Sequence, residues 1–290
     1  MGCHLSVQVK PWSPGKHSPK VSKKRILSFS PPSTVHKRKS EGTTRGIVDD
    51  PSVVHALPPP ATKVALCVGI NAYDHFPALK CAEHDAKDVA AQFETNGFVV
   101  RTLLGRDATR DNLLRQLEWC VHSGNTFVVA LFGHGVERRQ SALFVPVDAT
   151  SGDFEGDKIH TDILRGLSKR SKAASGLFIF DCCFSGTFLQ RATRAPSWVG
   201  RLAQEKSRIV ITSGMSGEVV DDDDGSGHSP FASSFLVAMK EAPASEELSA
   251  IQLFVRIRSE CINRFHGSVI PLLGRFPGDT GGDTFIGKSS

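Results

Sequence analysis

The sequence predicts an α/β fold in which a mainly parallel sheet carries helices on both of its faces. Short and almost continuously apolar segments alternate along the chain with segments whose apolar residues recur at helical spacing. Strands that are apolar on both faces are typical of a parallel sheet covered by helices on each side. The chain has 290 residues, of which 40% are hydrophobic, so a sizeable core can be buried.

The apolar segments predict the strands of this sheet. Each is far shorter than the roughly 20 residues needed to cross a bilayer, so we expect no transmembrane helix. A short closing strand is expected at 284–286. The strands predicted before it are 64–70, 98–104, 126–132, 176–180 and 208–212.

Apolar residues at helical spacing predict the helices between and after the strands. Thr109 or Asp111 can cap the second helix, because a short polar side chain at this place accepts a hydrogen bond from the backbone. The apolar faces are Ala82, Ala86, Val89, Ala90 and Phe93 in the first helix, Leu113, Leu114, Leu117 and Val121 in the second, and the segments 231–240 and 248–262 in the last two.

Composition divides the chain into an N-terminal arm and a globular domain. Residues 1–61 are rich in Lys, Ser, Pro and His and end in three prolines, which predicts a disordered basic arm. We expect residues 62–290 to form one domain. Within it, 191–207 combines Arg and Lys with Pro and Gly, which predicts an exposed, protease-accessible connection between the parts 62–190 and 208–290.

Charge and cysteine content limit the class of partner and the compartment. The net charge is +5, but Lys and Arg are concentrated before Arg45, so nucleic acid is not an expected partner of the domain. The seven cysteines are odd in number and irregular in spacing, which argues against a disulfide framework. A cytoplasmic location is therefore expected.

Two polar clusters follow apolar strands. One is the triplet 133–135 around His134, and the other is the segment 181–186, which contains Cys182 and Cys183. Ligands of open α/β sheets bind beyond the carboxyl ends of the strands, so both clusters lie where a site is expected. A histidine within reach of a thiol can take its proton and make it nucleophilic. A lone Cys or His is more often structural, but their joint occurrence after two strands favours acyl-transfer chemistry.

Seven ordered segments make this prediction more specific. They are VALCVGINAY (64–73), LKCAEHDA (79–86), FGHG (132–135), LFVPVD (143–148), FDCCFSG (180–186), ITSG (211–214) and SPF (229–231). The set resembles the metacaspase and paracaspase branch of the caspase-like cysteine peptidases, and fits a type I metacaspase without a recognisable zinc-finger segment. His134 lies 49 residues before Cys183, an order and spacing similar to that of caspases. The resemblance covers about 63–287, with 62–190 similar to a large subunit and 208–290 to a small one.

The resemblance implies a caspase-like fold and a cysteine endopeptidase that acts through a thioester acyl-enzyme. It makes Cys183 the nucleophile and His134 its acid/base partner. The register of the Ser-Gly turn favours Cys183 over Cys182, which is expected to be a packing residue. The backbone N–H groups of Gly135 and Cys183 are expected to form the oxyanion hole.

The resemblance also implies an acidic P1 pocket formed by Asp85 and Asp181, so the expected substrates are proteins or peptides with Arg or Lys at P1. A buried cation needs a carboxylate partner, and two carboxylates match the fork of an Arg side chain. From the residues alone, Asp85 could equally be an exposed helix residue and Asp181 a strand-end cap. Phe132 and Phe184 stand where metacaspases commonly have Ser and His, which predicts a more apolar pocket wall.

The chemistry requires no cofactor, but the resemblance implies Ca²⁺ as an activator. Calcium binds carboxylate oxygens, and Asp148 and Asp162 are the predicted metal ligands. The acidic run 221–224 offers more carboxylates, although a solvated loop explains that run as well. Self-processing within the basic connection 191–207 is a further expectation.

The N-terminus fits an acylation pattern, with lipidation predicted at Gly2 and Cys3. Two acyl chains, or one chain with the basic residues of the arm, would hold the protein at a membrane surface. The alternative is a basic tail without a fixed partner. The resemblance implies a monomer. A rival interpretation, a silent caspase-fold scaffold, is disfavoured by the presence of both His134 and Cys183.

Overall fold

A six-stranded sheet forms the centre of the fold, as described by a computed structural model for residues 63–138, 141–152, 154–182, 205–214, 222–241 and 248–287. In chain order, the strands are β1 (Lys63–Gly69), β2 (Phe98–Leu104), β3 (Thr126–Phe132), β4 (Gly135–Arg138), β5 (Ser141–Phe144), β6 (Ile159–His160), β7 (Ser175–Asp181), β8 (Ser207–Thr212) and β9 (Leu272–Arg275). The large sheet has the order β2-β1-β3-β7-β8-β9, and β4, β5 and β6 form a small antiparallel sheet. Only β9 runs antiparallel in the large sheet, so the predicted parallel α/β fold is confirmed.

Helices cover both faces of the large sheet, as the sequence predicts. The helices are α1 (Ala82–Thr95), α2 (Arg110–Ser123), α3 (Thr161–Arg170), α4 (Pro230–Lys240) and α5 (Ala250–Phe265). Buried residues of α1, α4 and α5 form one apolar cluster with one face of the sheet, and those of α2 and α3 form another with the opposite face. The two clusters make the sheet the middle layer of three.

The alternation of side chains along each strand explains why the strands are apolar throughout. In β1, Ala65 and Cys67 belong to the α1 side, while Val64, Leu66 and Val68 belong to the α2 side. Since successive side chains of a strand point to opposite faces, both sets must be apolar when both faces are covered. Burial of each large apolar side chain stabilises the fold by roughly 1.5–3 kcal/mol.

Polar side chains fix where the helices begin. Of the two predicted caps of α2, the structure uses Thr109, whose hydroxyl accepts a hydrogen bond from Asn112 N–H at 3.4 Å. Ser229 caps α4, and Ser249 and Gln252 form a reciprocal capping box at the start of α5. Such a cap is typically worth about 1 kcal/mol.

The closing strand is not where the sequence places it. The segment 284–286 makes an isolated bridge between Phe285 and Ser249, and the carbonyl of Thr284 accepts a hydrogen bond from Ala250 N–H at 2.8 Å. This backbone satisfies an N–H group at the beginning of α5 and does not join the sheet. The edge strand is β9, whose short sequence between Pro271 and Phe276 contains a glycine and so gives a weak strand signal.

Arg208 ties β8 to the end of α3. Its side chain is fully buried and donates hydrogen bonds to the carbonyl oxygens of Ser168, Ser171 and Ala173 at 3.2, 3.2 and 2.7 Å. The last carbonyl groups of a helix lack partners within the helix, and a cation near them is favourable. The guanidinium thus satisfies the end of α3 from a strand on the far side of the predicted connection.

Several predictions lie outside the described residues. They include the whole arm 1–61 with its acylation sites Gly2 and Cys3, and the connection 191–207 except for its last three residues. Among the helices that the structure describes, none is both long and apolar enough to span a bilayer.

Candidate active site

The register of two parallel strands brings the predicted catalytic segments side by side. In the ladder between β3 and β7, Phe132 is the partner of Asp181. His134 and Cys183 each follow one of these partners by two residues, and Gly133 N–H donates to the carbonyl of Asp181 at 3.2 Å. Cys183 itself lies outside the described residues, which reach Cys182 on this side.

A carbonyl oxygen fixes the tautomer of His134. The ring Nε2 lies 2.8 Å from the carbonyl oxygen of Pro77. A carbonyl can only accept, so Nε2 carries the hydrogen, and Nδ1 is the nitrogen that can accept a proton. The side chain is half-buried. This arrangement is that of a general base whose orientation is set by the backbone.

Tyr73 holds the backbone of His134 in place. The N–H of His134 donates to the Tyr73 hydroxyl at 2.8 Å, and the two rings lie 4.8 Å apart between centroids. Burial raises the pKa of Tyr73, so the phenol stays neutral. Gly133 permits this contact, because a Cβ at that position would lie 2.5 Å from the hydroxyl oxygen. The position before His134 therefore requires a glycine on steric grounds.

Gly135, the predicted oxyanion donor, begins β4. Val145 N–H donates to the carbonyl of His134, so Gly135 and its partner Phe144 form a non-hydrogen-bonded pair of the antiparallel ladder. In such a pair the N–H groups point away from the neighbouring strand. The N–H of Gly135 is thus directed away from β5, as an oxyanion donor needs to be.

Ser229 joins Asp85 and Asp181, the two carboxylates predicted to form the P1 pocket. Asp181 Oδ2 accepts from Ser229 Oγ at 2.5 Å, and Asp85 Oδ2 accepts from Ser229 N–H at 3.3 Å. Asp85 lies in α1, Asp181 ends β7 and Ser229 caps α4, so three elements meet here. The exposed fractions are 1% for Asp85 and 8% for Asp181. Asp85 is therefore not the exposed helix residue of the alternative interpretation.

Both carboxyl groups resist ionisation. Burial raises the pKa of Asp85 to about 9 and that of Asp181 to about 6. Repulsion from Asp181 adds to the effect on Asp85, and Asp222 acts on both in the same direction. Within the described part of the chain, neither carboxylate forms an ion pair with Lys or Arg. A cation placed between them would reverse this repulsion and favour both ionised forms.

His228 is the remaining partner of Asp85. Its Nδ1 lies 2.7 Å from Asp85 Oδ1, and its side chain is 13% exposed. Burial lowers the pKa of His228 and raises that of Asp85, so both shifts favour a neutral hydrogen-bonded pair over an ion pair.

The sequence profile of the caspase domain matches residues 62–273. The chain belongs to the caspase family. Membership indicates a hydrolase of the cysteine peptidase class, which agrees with a histidine oriented as a base at the end of β3. A search of curated proteins finds no match to this chain.

A solved structure has a similar fold. The crystal structure of a protein from Geobacter sulfurreducens superposes on this chain with a TM-score of 0.53 at 17% sequence identity. The aligned region covers 74% of this chain and 94% of the Geobacter chain. At this identity the likeness extends to the fold alone.

In this caspase-family domain the neighbour of the predicted nucleophile is a core residue. Cys182 is 4% exposed and belongs to the apolar cluster on the α2 side of the sheet. Phe132, the residue expected to line a more apolar pocket wall, is likewise buried. Phe184 lies outside the described residues.

The predicted calcium ligands are not assembled into one cluster. Asp148 Oδ1 accepts from Arg110 N–H at 2.9 Å at the start of α2. Asp162 is exposed in the first turn of α3, where Arg165 lies 3.3 Å away. Among the residues that the structure describes, neither belongs to a group of His, Cys, Asp and Glu side chains close enough to share a metal ion. Calcium activation stays a prediction.

Backbone N–H groups satisfy the acidic run in its described part, which begins at Asp222, and those bonded to Asp223 and Asp224 are local. Asp222 Oδ2 accepts from Lys80 N–H, Asp223 Oδ1 accepts from Gly225 N–H, and Asp224 Oδ1 accepts from Ser226 N–H. Side chains that accept from the backbone two residues later are typical of tight turns. The run therefore shapes the loop before α4.

Sequence reasoning missed the partners that orient these groups. Pro77 and Tyr73 orient His134, while Ser229 and His228 organise the carboxylates. Tyr73 and Ser229 lie within quoted motifs, so their positions were noticed without their roles. For Pro77 the contact uses a backbone carbonyl, which any residue would supply, so the sequence holds no signal.

Proposed function

We propose that this caspase-family chain is a metacaspase-like endopeptidase that cleaves after Arg or Lys, with Cys183 as nucleophile and His134 as acid/base. His134 Nδ1 takes the thiol proton, and the thiolate attacks the scissile carbonyl carbon. The C–N bond breaks as His134 returns the proton to the leaving amine, which leaves a thioester. Water, deprotonated by His134, then hydrolyses the thioester and regenerates the thiol.

The observation that carries the catalytic part is the hydrogen bond from His134 Nε2 to the carbonyl of Pro77. It keeps the ring in one tautomer and leaves Nδ1 as the base. Together with the register of β3 and β7, which makes His134 and Cys183 equivalent positions after neighbouring strands, it supports a dyad.

The specificity part rests on the two buried carboxyl groups joined by Ser229. Asp85 and Asp181 belong to different elements, and their pKa values are raised by burial and, for Asp85, by mutual repulsion. A guanidinium or ammonium group would supply the missing positive charge. A P1 side chain with a carboxylate would bring a further negative charge to two carboxyl groups whose own ionisation is already unfavourable, and would be rejected.

The first experiment is hydrolysis of matched fluorogenic peptides with Arg, Lys or Asp at P1, with and without Ca²⁺. Cys183→Ala is expected to lower kcat by at least about 10³-fold, as for removal of a catalytic nucleophile. Cys182→Ala is the matched control, because it removes the adjacent, buried thiol and should retain most of the activity. Loss on Cys182→Ala and not on Cys183→Ala would reverse the assignment, and no cleavage under any condition would overturn the peptidase.

The second experiment tests the pocket with Asp85→Asn and Asp181→Asn. Each should lower kcat/KM for Arg peptides by about 10–100-fold, the usual cost of a lost charge-assisted hydrogen bond. Asp111→Asn, in the exposed first turn of α2, is the control and should leave kcat/KM unchanged. Equal losses for Arg and for an uncharged P1 residue would contradict the cationic pocket.

Calcium activation, self-processing within 191–207, acylation at Gly2 and Cys3 and a monomeric state complete the proposal. Mass spectrometry of the purified chain, incubated with and without Ca²⁺, detects both cleavage in 191–207 and acyl groups. An uncut chain that is nevertheless fully active would show that self-processing is not needed.

A further inference from the structure

A pair of stacked histidines lies beside the acidic pocket. The rings of His84 and His228 are 4.3 Å apart between centroids and only 15° from parallel. His84 belongs to α1 and His228 to the loop before α4. Asp88 lies one helical turn after His84, so its carboxylate faces the same edge of the stack.

Both rings are held at Nδ1 by oxygen atoms. His84 Nδ1 lies 2.9 Å from the carbonyl oxygen of Gly227, and His228 Nδ1 lies 2.7 Å from the carboxylate of Asp85. The carbonyl of Gly227 can only accept, so the hydrogen of a neutral His84 ring sits on Nδ1 and its Nε2 has a free lone pair. Gly227 has φ +87°, a left-handed conformation that glycine adopts without strain.

The Nε2 atoms of both rings lie near the same carboxylate oxygen. His84 Nε2 lies 3.5 Å and His228 Nε2 lies 3.4 Å from Asp88 Oδ2, and all three atoms lie within 4.8 Å of one another. Two ligand atoms that share a tetrahedral zinc ion lie about 3.3 Å apart, because each bond is about 2.0–2.1 Å long. The spacing of both nitrogens from the oxygen is close to that of zinc ligands, and one of the stacked rings has to turn so that both Nε2 lone pairs point at one ion.

We propose that His84, Asp88 and His228 form a binding site for a divalent transition metal ion, with Zn²⁺ as the preferred biological ion. Two imidazoles favour zinc over calcium or magnesium, which prefer oxygen ligands. Metal-binding histidines typically donate their other ring N–H to a carboxylate or a backbone carbonyl. Gly227 supplies one acceptor here, and Asp85 supplies the other in its carboxylate form. His84 and Asp88 are half-exposed, so the ion can enter and a water molecule can complete the coordination.

The site is distinct from the predicted dyad and shares one neighbour with the pocket. Asp85 contacts His228 through Oδ1 and Ser229 through Oδ2. The metal site and the pocket thus use different oxygens of one carboxylate, and binding of the metal does not depend on peptidase activity.

The test measures Zn²⁺ affinity of the full chain carrying Cys183→Ala, by competition with a chromophoric chelator. This background removes the thiol of the proposed dyad, which could itself bind zinc. One ion per chain is expected, with affinity lowered at least about tenfold by His84→Gln and by Asp88→Asn, since even loss of an outer partner costs about 10–100-fold. His84 is exposed, so His84→Gln should unfold at the same temperature as the background protein without metal.

A matched control exists on α2. His122 and Glu118 form the same histidine–carboxylate pair one turn apart, at 3.1 Å, and among the described residues they are not part of a cluster able to share a metal ion. His122→Gln should leave the affinity unchanged. The Co²⁺-substituted protein should show no sulfur-to-cobalt charge-transfer band. Binding that persists in His84→Gln, a cysteine band in the cobalt spectrum, or no stoichiometric binding at all would each overturn the site.

Discussion

His134 and His228 occupy two regions of the domain and are held in opposite ways. His134 is held at Nε2 by the carbonyl of Pro77, and its backbone is held by Tyr73. His228 is held at Nδ1 by the carboxyl group of Asp85. One ring thus presents Nδ1 for chemistry, while the other presents Nε2.

A carbonyl and a carboxyl partner differ in whether the proton of the hydrogen bond can change places. A carbonyl can only accept a hydrogen bond, so it fixes one tautomer of the neutral ring at every pH. A carboxyl group accepts when ionised and donates when protonated. Because the pKa of Asp85 is raised to about 9, the proton of the Asp85–His228 pair can move when charge enters the pocket. The first region suits catalysis and the second suits recognition.

Replacement of each histidine in turn gives the largest expected effects on the kinetic constants and tests the difference between the two regions most directly. His134→Gln should lower kcat by about 10²–10⁴-fold for every substrate, because it removes the proposed acid/base. His228→Gln should retain kcat and raise KM for Arg peptides, because it disturbs only the hydrogen bond that positions the Asp85 carboxyl group. Steady-state kinetics on both variants checks this. Similar losses of kcat in the two variants would show that the regions do not differ as described.

The close contact at Gly133 comes next. Gly133→Ala places a Cβ against the Tyr73 hydroxyl, so we expect a loss of about 1–3 kcal/mol in the free energy of unfolding, as for other overpacked sites, and a fall in kcat. Gly152→Ala is the control, because no atom lies within 4 Å of its added Cβ. Urea unfolding measures both variants. If Gly133→Ala left the free energy of unfolding unchanged, the backbone before His134 would not be tightly held.

The pH dependence of the pocket gives a smaller effect. The pKa of Asp181 is raised to about 6, so the folded state binds a proton that the unfolded chain releases near pH 4. The folded state thus holds more protons between these values, and the free energy of unfolding should fall as the pH rises through them. Asp181→Asn should make this fall shallower, while the part that comes from the raised pKa of Asp85 remains. Urea unfolding at several pH values tests it, and parallel profiles would contradict the raised pKa.

The smallest effect is expected for Tyr73→Phe. The variant removes the acceptor of His134 N–H and leaves the hydrogen bond between Nε2 and Pro77. A loss of about 0.5–1.5 kcal/mol in the free energy of unfolding is expected, with a modest fall in kcat. If kcat fell as far as in His134→Gln, Tyr73 would be part of the chemistry and not only a support of the backbone.

The sequence predicts the layers of the fold well because burial on both faces of a parallel sheet requires continuous apolar strands. β1, β3, β7 and β8 all follow this rule. β9 does not follow this rule, because it is an edge strand of four residues with few buried positions. It also contains Gly274, which weakens the strand signal. The segment 284–286 is apolar for another reason, since it covers the start of α5.

The candidate site could be predicted where function depends on residue type and could not where it depends on backbone. His134, Asp85 and Asp181 are visible in the sequence because the proposed chemistry requires side chains of these types. The carbonyls of Pro77 and Gly227 are not, because every residue has one. The cluster of His84, Asp88 and His228 was also missed, since His228 lies 140 residues after Asp88 and meets the other two only when α4 packs against α1.

Arg208 helps to hold together the two parts of the domain that the basic connection joins. The side chain reaches from β8 to the end of α3, and β8 pairs along its length with β7. Both contacts join the part of the chain before the basic connection to the part after it. A molecule nicked within that connection is therefore expected to persist as a two-chain heterodimer, with its fragments co-eluting under native conditions and separating only in denaturant.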